Sequence, residues 1–394
     1  MTVTALLDGP GEEVLAAACA EFRPGGELQL VEKLRRRYDA ALVTTAVTQA
    51  ALRHRAAAKF GPDAERMYFT PDGLEQATRT TVATHRAERL ATALPGASVV
   101  DLGCGIGGDL ITAARAGLRV TGVERDPETA ATARANLSAL GLPGDVLVGE
   151  AESTDLTPYD VVFADPARRA DGRRVFDHHA YSPPWSFVTG LLERTACVKV
   201  APGIPHDAVP DGVEAEWISD AGEVKEAALW SGRLSTGIPR RATLLPGGAT
   251  VTDAPEVDAG PVGQYIYEPD GAVVRAGLVT AVAAAVGGWL LDPRIAYVTA
   301  SQYVATPLAS AYEVLEELPY KEKALRAWVR SQGIGTLEIK KRGVDLDPAQ
   351  LRKKLGPKGS TSATLIITRI GRDAVAYSCR RISTGLALDL HSNI

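Results

Sequence analysis

VVDLGCGIGGD, residues 99–109, decides how this 394-residue chain is read. A short β-rich run ends at Asp101-Leu102, and Gly103, Gly105, Gly107 and Gly108 follow at once. Glycines placed just after a strand let the backbone turn tightly and approach a bound ligand closely. A helical pattern begins at Gly108, runs to Ala116 and stops at Gly117. Working outward, β-rich runs recur at 119–124, 145–149, 160–165 and 196–201. Between two of them a helix opens at Asp126-Pro127-Glu128, a capping residue followed by proline at the first helical position, and ends near Gly141. This βαβαβ order predicts a doubly wound, Rossmann-like parallel sheet in an α/β fold. Strands at 214–218 and 224–230 are expected to pair antiparallel at its edge.

Upstream, Leu28, Val31, Leu34, Tyr38 and Leu42 recur at helical spacing and predict a helix over 27–60. A second is expected over 72–94, after the break at MYFTPDG. Downstream, Pro246-Gly247-Gly248 reads as a turn and 253–261 as a linker. The expected division is a helical region at 1–94, the α/β domain at 95–253, and a C-terminal α/β region at 254–394 with a basic module at about 320–394. Hydrophobic residues at 45% and charged residues at 23% exclude a wholly disordered, collagen-like or coiled-coil chain. Four separated cysteines with no CxxC argue against a disulfide framework or zinc ribbon and fit a cytoplasmic protein. The first residues lack a signal-peptide pattern. The longest apolar stretch, 276–291, has 16 residues and is interrupted by Thr280, so no membrane association is expected. His178-His179 has no companion ligands at metal spacing, and no metal is expected.

The glycine spacing at 103, 105 and 108 also satisfies a dinucleotide fingerprint. Asp101 bears on the choice of ligand: its carboxylate repels a pyrophosphate and welcomes the ammonium group of an amino-acid moiety. Glu124, 21 residues after Gly103 and followed by Arg125, stands where a carboxylate accepts ribose hydroxyls. Glu150 and Ala151 follow the third strand, where a carboxylate or backbone group can meet an adenine amino group. Cys104 is expected as a small loop residue rather than a nucleophile. At the end of the fourth strand, Asp165 and the Pro166 carbonyl can accept hydrogen bonds from an amine and aim its lone pair at an electrophilic carbon.

D-x-G-x-G-x-G at 101–107 resembles the first motif of class I S-adenosylmethionine-dependent methyltransferases. That resemblance implies S-adenosyl-L-methionine held by Thr70, Asp101, Gly103, Gly105, Gly107, Glu124, Arg125, Glu150, Ala151 and Asp165, with Asp165 and Pro166 as catalytic groups. Asp165-Pro166 is similar to the start of the (N/D/S)PP(Y/F/W) motif of amino-methylating enzymes, but Ala167 and Arg168 replace its last two residues. DPARR, together with KFGPDAERMYFTPDGLEQAT at 59–78, resembles a bacterial group of class I methyltransferases with a THUMP-like C-terminal domain, a likeness over most of the chain. Residues 68–166 also resemble the core of trimethylguanosine synthase, which implies that Thr70 and its neighbours Tyr68 and Phe69 fold over the cofactor.

Charge is distributed unevenly. Residues 320–382 contain 15 Lys/Arg and 5 Asp/Glu, a net +10 in a chain whose total is −5. Lys340-Lys341-Arg342 and Arg352-Lys353-Lys354 frame a helix start at Asp347-Pro348, and a basic module of this kind neutralises phosphates. Beside the fourth strand, Arg168, Arg169, Arg173 and Arg174 can grip phosphates, and Phe176, Tyr181 and Trp185 offer rings for base stacking. The THUMP-like resemblance implies an RNA partner, tRNA or rRNA. The expected function is methylation of RNA at an exocyclic amine. The alternatives are a small-molecule or protein methyltransferase, or a non-catalytic cofactor-binding protein that binds RNA.

Overall fold

The computed structural model describes residues 3–166, 169–170, 173–174 and 184–382. They group into two compact units, Met1–Glu216 with Lys225–Pro239, and Trp217–Val224 with Arg240–Ile394. The helices of 1–94 thus belong with the α/β sheet, and 240–253 belongs with the C-terminal unit.

The first unit opens with α1 (Gly9–Glu21), α2 (Glu27–Leu34), α3 (Ala40–Phe60), α4 (Pro71–Gln76) and α5 (Thr80–Ala93). The single helix expected over 27–60 is broken before Ala40. Asp39 leaves helical geometry there, and its carboxylate accepts the N–H groups of Ala41 and Leu42 at 2.9 and 3.0 Å, capping a new helix. The helix expected over 72–94 is also two, because Ala77 turns out of the helical region before α5 begins. Leu6, Val14, Ala18, Leu34, Val43 and Val47 fill the core among α1, α2 and α3.

The sheet follows as β1 (Ser98–Leu102), α6 (Gly108–Arg115), β2 (Arg119–Glu124), α7 (Pro127–Leu140), β3 (Asp145–Val148) and β4 (Val161–Ala164). Next come a small hairpin of β5 (Arg169–Ala170) and β6 (Arg173–Arg174), then α8 (Trp185–Leu191), β7 (Ala196–Val200), β8 (Glu214–Asp220) and β9 (Glu223–Trp230). Within this unit the strand order is β9-β7-β4-β1-β2-β3. The strands from β7 to β3 are parallel, and β9 runs antiparallel to β7. β4 and β7 are buried along their whole length, so VVFA and ACVKV read as apolar runs rather than alternating ones. β1 sits between β2 and β4. The winding direction reverses there, and a crevice opens beyond the strands' carboxyl ends.

The second unit adds β10 (Arg240–Leu245), β11 (Ala249–Val251), β12 (Tyr265–Pro269), α9 (Gly271–Ala276), α10 (Val279–Val286), β13 (Trp289–Asp292), β14 (Ile295–Ala300) and β15 (Ala309–Leu318). It ends with α11 (Glu322–Ser331), β16 (Ile334–Arg342), α12 (Pro348–Leu355), β17 (Thr361–Ile370) and β18 (Asp373–Arg381). Its seven-stranded sheet has the order β13-β14-β12-β15-β18-β17-β16. β16 and β17 are parallel, which requires the α12 crossover between them, and β17 and β18 form an antiparallel hairpin. Leu325, Trp328 and Leu355 of the two helices pack on Leu337, Ile339, Leu365 and Ile367. A second core gathers Ile266, Tyr297, Tyr312, Ile366 and Tyr377. The apolar stretch 276–291 is divided between α10 and β13, and among the described residues no helix is long and apolar enough to cross a membrane.

One packing constraint sets the glycine loop on the sheet. A Cβ at Gly122 of β2 would lie 2.6 Å from Cys104 Sγ and 2.7 Å from Leu110 Cδ1. Gly122→Ala is therefore expected to destabilise the first unit by about 1–3 kcal/mol through overpacking, read as a lower urea midpoint in equilibrium unfolding.

Candidate active site

A cleft of about 540 Å³ lies at the carboxyl ends of β1, β2, β3 and β4. Thr70, Asp101, Gly103, Gly105, Glu124, Arg125, Glu150, Ala151, Asp165 and Pro166 all line it, so residues spread over nearly a hundred positions are brought to one cleft. Gly107 is not among the lining residues. It takes a left-handed conformation at the start of α6, φ 85°, and its open side faces Ala133 of α7 at 3.4 Å. Gly103 and Gly105 also have positive φ, 81° and 55°, which is the conformation glycine supplies without strain. Glu124 is held from both sides: its carboxylate accepts the Gly105 N–H at 3.1 Å and the Asp126 N–H at 3.0 Å.

The segment 70–78 forms another wall of this cleft. Thr70 caps α4 through its hydroxyl, which accepts the Gly73 N–H at 3.0 Å. Lys59 of α3 donates to the carbonyls of Leu74, Glu75 and Ala77 at 2.6, 2.8 and 3.0 Å. Burial, with Arg79 and Lys199 nearby, lowers the Lys59 pKa from its ordinary value. Tyr68 and Phe69 do not reach the cleft. The Tyr68 backbone is bonded to the buried Asn136, which also donates to the Ile106 carbonyl, and the Phe69 backbone is bonded to the buried Gln49. Gln49 lies on α3 and Asn136 on α7, so the approach to Thr70 is fixed by two buried amides.

Charged side chains the sequence reading passed over cluster at the cleft, and two of them, Asp109 and Lys199, are among its lining residues. Arg86 of α5 pairs with Asp109 of α6 at 2.6 Å and with Glu226 of β9, and its guanidinium lies 4.8 Å from the Phe163 ring centroid. Lys199 of β7 pairs with Asp165 at 2.5 Å, donates to Thr78 Oγ1 at 3.0 Å and lies 3.9 Å from Glu226. Burial opposes the charge on Lys199, but Asp165, Glu226 and Asp109 outweigh it and hold its pKa up. Burial likewise opposes ionisation of Asp109, yet Arg86 and Lys199 hold its carboxyl below the ordinary range. Asp101 has the opposite balance: burial and its neighbours Asp109 and Asp165 push its carboxyl well above the usual value. Its Oδ1 is buried and has no hydrogen-bond partner among the described residues. Lys199 signals itself as the lone charge inside an apolar strand, ACVKV, whereas Glu226 follows Glu223 and Lys225 in EVKEAALW and is marked only by its burial.

The aromatic and basic candidates divide. Trp185 begins α8 without lining the cleft, whereas Phe187, two residues on, does. Arg168, Phe176, His178, His179 and Tyr181 lie outside the described residues, as do the side chains of Arg169, Arg173 and Arg174. In the C-terminal unit, Lys340 pairs with Glu268 at 3.0 Å and Glu338 at 3.3 Å, and Arg342 reaches Glu268 at 3.8 Å. Lys341 and Lys353 are exposed and form no ion pair among the described residues.

An orphaned, buried carboxylate oxygen in a cleft wall needs a cationic donor. Beside it lie a positive-φ glycine turn and, on the next strand, an oriented carboxylate. These residues fit S-adenosyl-L-methionine, whose ammonium group and ribose supply the missing donors. Fold and cleft together define a class I methyltransferase. An uncharacterized S-adenosylmethionine-dependent methyltransferase of Mycobacterium tuberculosis is 40% identical over 346 residues, 84% of this chain and 94% of the relative. This chain belongs to that family and depends on the same cofactor. A methyltransferase domain model matches residues 99–176, a THUMP domain-like model matches 309–381, and a domain of unknown function matches 1–56. A crystal structure from Porphyromonas gingivalis, assigned as a methyltransferase, superposes with a TM-score of 0.78 at 22% identity, covering 97% of this chain and 100% of that one. The 23S rRNA (uracil(747)-C(5))-methyltransferase of Cronobacter sakazakii is 35% identical over 126 residues, 30% of this chain and 33% of that protein.

Asp101 yields a prediction with a defined sign. Its folded pKa is raised, so the folded chain retains a proton that the unfolded chain has lost above about pH 4, and stability falls as pH rises through that window. Asp101→Asn is therefore expected to raise the melting temperature of the cofactor-free protein at pH 8, with the gain shrinking toward pH 4. Thermal unfolding of both proteins across that range checks it.

Proposed function

We propose that this methyltransferase acts on RNA and transfers its methyl group to an exocyclic amine of a base. The observation that carries the reading is the set of exposed cations on the THUMP-like module, Lys341, Arg352, Lys353, Lys354, Lys358 and Arg372 among them. Exposed, flexible ammonium and guanidinium groups bind a phosphate backbone by releasing counterions, with little dependence on sequence. The partial match to an enzyme named for 23S rRNA supports the same partner.

Cofactor contacts follow from the cleft. Asp101 Oδ1 takes the ammonium group, the backbone at Gly103 and Gly105 lies along the methionine and ribose, and Glu124 takes the ribose hydroxyls. Glu150 and Ala151 meet the adenine beside Arg125, and Thr70 covers the cofactor from α4. Asp165 and the Pro166 carbonyl then accept the N–H groups of the acceptor amine and direct its lone pair at the methyl carbon. Arg168, Arg169 and Arg173 serve in this reading to grip the substrate's phosphates, and Trp185 to stack one of its bases. Lys341 and Lys353 hold its backbone, whereas Lys340 and Arg342 brace Glu268. Amine chemistry fits the cleft better than attack by a pyrimidine ring carbon, which becomes nucleophilic only after a thiolate or similar group adds to the ring. Cys104 is the one thiol among the lining residues, and burial beside Asp101 and Glu124 pushes its pKa far up.

The test is tritium transfer from labelled S-adenosylmethionine to unmodified tRNA, rRNA, a protein extract and a metabolite pool in parallel. Label is expected in an RNA fraction, and Asp165→Ala is expected to abolish it while cofactor affinity stays within a few-fold. Label in protein or metabolites alone overturns the RNA reading. Binding gives a second prediction: Lys341→Glu with Lys353→Glu should weaken RNA association and lower the slope of log K against log salt by roughly 1 per cation lost. An unchanged slope in a filter-binding titration refutes their role.

A further inference from the structure

Asp165 is the first residue beyond β4, and Lys199 lies next to it on β7. The parallel register pairs Ala164 with Val198, so Asp165 leaves β4 beside Lys199, which is still within β7 and pairs with Ala228 of β9. Lys199 Nζ reaches Asp165 Oδ2 at 2.5 Å. The lysine side chain is 8% exposed and the aspartate 29%, so the cation is buried behind a carboxylate that opens on the cleft. A lysine ammonium has three N–H groups. One points to Asp165, one reaches Thr78 Oγ1 at 3.0 Å, and Glu226 faces the group at 3.9 Å. Among the described residues, Asp165 Oδ1 takes no hydrogen bond.

We propose that Lys199 is a positioning residue for methyl transfer. By occupying Oδ2 it fixes the rotation of the Asp165 carboxylate and leaves Oδ1 as the single oxygen offered to the acceptor, and through Thr78 it ties the 70–78 segment to that same carboxylate. The proposal rests on the reading of Asp165 as the acceptor's hydrogen-bond partner. In the step itself, the amine lone pair forms the N–C bond while the C–S bond breaks and its electron pair returns to sulfur. The resulting cationic nitrogen gives its proton to water at the cleft mouth. Lys199 keeps its proton throughout, held by Asp165, Glu226 and Asp109, and Asp165 accepts a hydrogen bond rather than the proton. Without the lysine, Glu226 keeps Arg86 while Asp165 loses its one ion-pair partner among the described residues, and the aspartate would turn away.

The experiment compares Lys199→Met, Lys199→Arg, Asp165→Asn and the Lys199→Met/Asp165→Asn double variant. Rates of tritium transfer are read at saturating cofactor, on whichever pool the wild type labels, beside S-adenosylhomocysteine affinity and melting temperature. Lys199→Met is expected to lower kcat about 100-fold, the scale of a misplacement near 1 Å, with S-adenosylhomocysteine affinity within about three-fold. Lys199→Arg should recover at least about a tenth of the rate, and the double variant should be no slower than Asp165→Asn alone. A Lys199→Met kcat within about three-fold of wild type while Asp165→Asn is slow overturns the proposal, as do multiplicative losses in the double variant. A bracing role alone would lower melting temperature and cofactor affinity together and leave kcat per folded site intact. Full activity of Asp165→Asn would overturn the Asp165 reading itself and leave Lys199 with nothing to position. One readout needs no acceptor: amide exchange at 71–78 should quicken at least about ten-fold in Lys199→Met while β1 is unchanged, and unaltered exchange refutes the tie through Thr78.

Discussion

Four carboxylates and two cations share the buried space where β1, β4, β7 and β9 meet α5 and α6. Arg86 and Lys199 cannot neutralise Asp101, Asp109, Asp165 and Glu226 together, and burial with the uncompensated charge raises the Asp101 carboxyl well above its usual value and the Glu226 carboxyl as well. This imbalance organises the site. Arg86 draws α5 and α6 onto β9 by bridging Asp109 and Glu226, and Lys199 links the tip of β4 to the segment covering the cleft. Buried ion pairs contribute little net stability against well-packed apolar groups. Their presence here sets geometry, and the unpaired oxygen on Asp101 makes the cofactor-free state costly in a way that a bound cation relieves.

The helices ahead of the sheet belong to the same device. Gln49 and Lys59 of α3 hold the backbone from Phe69 to Ala77, and Asn136 of α7 joins Tyr68 to the glycine loop at Ile106. Two buried amides with every polar atom satisfied thus place Thr70 over the crevice. This explains why the 1–94 region packs with the α/β unit. Its role is to build one wall of the cleft.

Much of this was legible because the relevant signals are local. Glycines directly after a strand, an aspartate-proline helix start and acidic residues at strand ends are each read within a few positions, and they place most of the cleft's lining. The rest depends on partners distant in sequence. Nothing near Lys199 announces Thr78 or Glu226, although a single charge within ACVKV marks the strand as unusual. Helical periodicity carried the 27–60 reading across a break, since Leu34 and Leu42 keep the same spacing while Asp39 interrupts the backbone between them. Composition also overcounts free cations in the tail: Lys340 and Arg342 are spent on Glu268, a residue some seventy positions earlier, whereas Lys341 between them stays exposed. Gly107 belongs to the motif by spacing, but its conformation serves the start of α6 and the approach of α7.

Lys59 concentrates the hold on one wall of the cleft in a single side chain. One ammonium group holds the carbonyls of Leu74, Glu75 and Ala77, which are the final carbonyls of α4 and its exit. Loss of that one group would leave all three carbonyls without their side-chain donor. The other restraints on this stretch are the Gln49 amide at Phe69 and the Lys199 ammonium at Thr78, one at each end. The order of this wall is therefore vested in a residue that is not itself among the cleft's lining residues, and a change at position 59 would be felt at the ligand only through the backbone it holds.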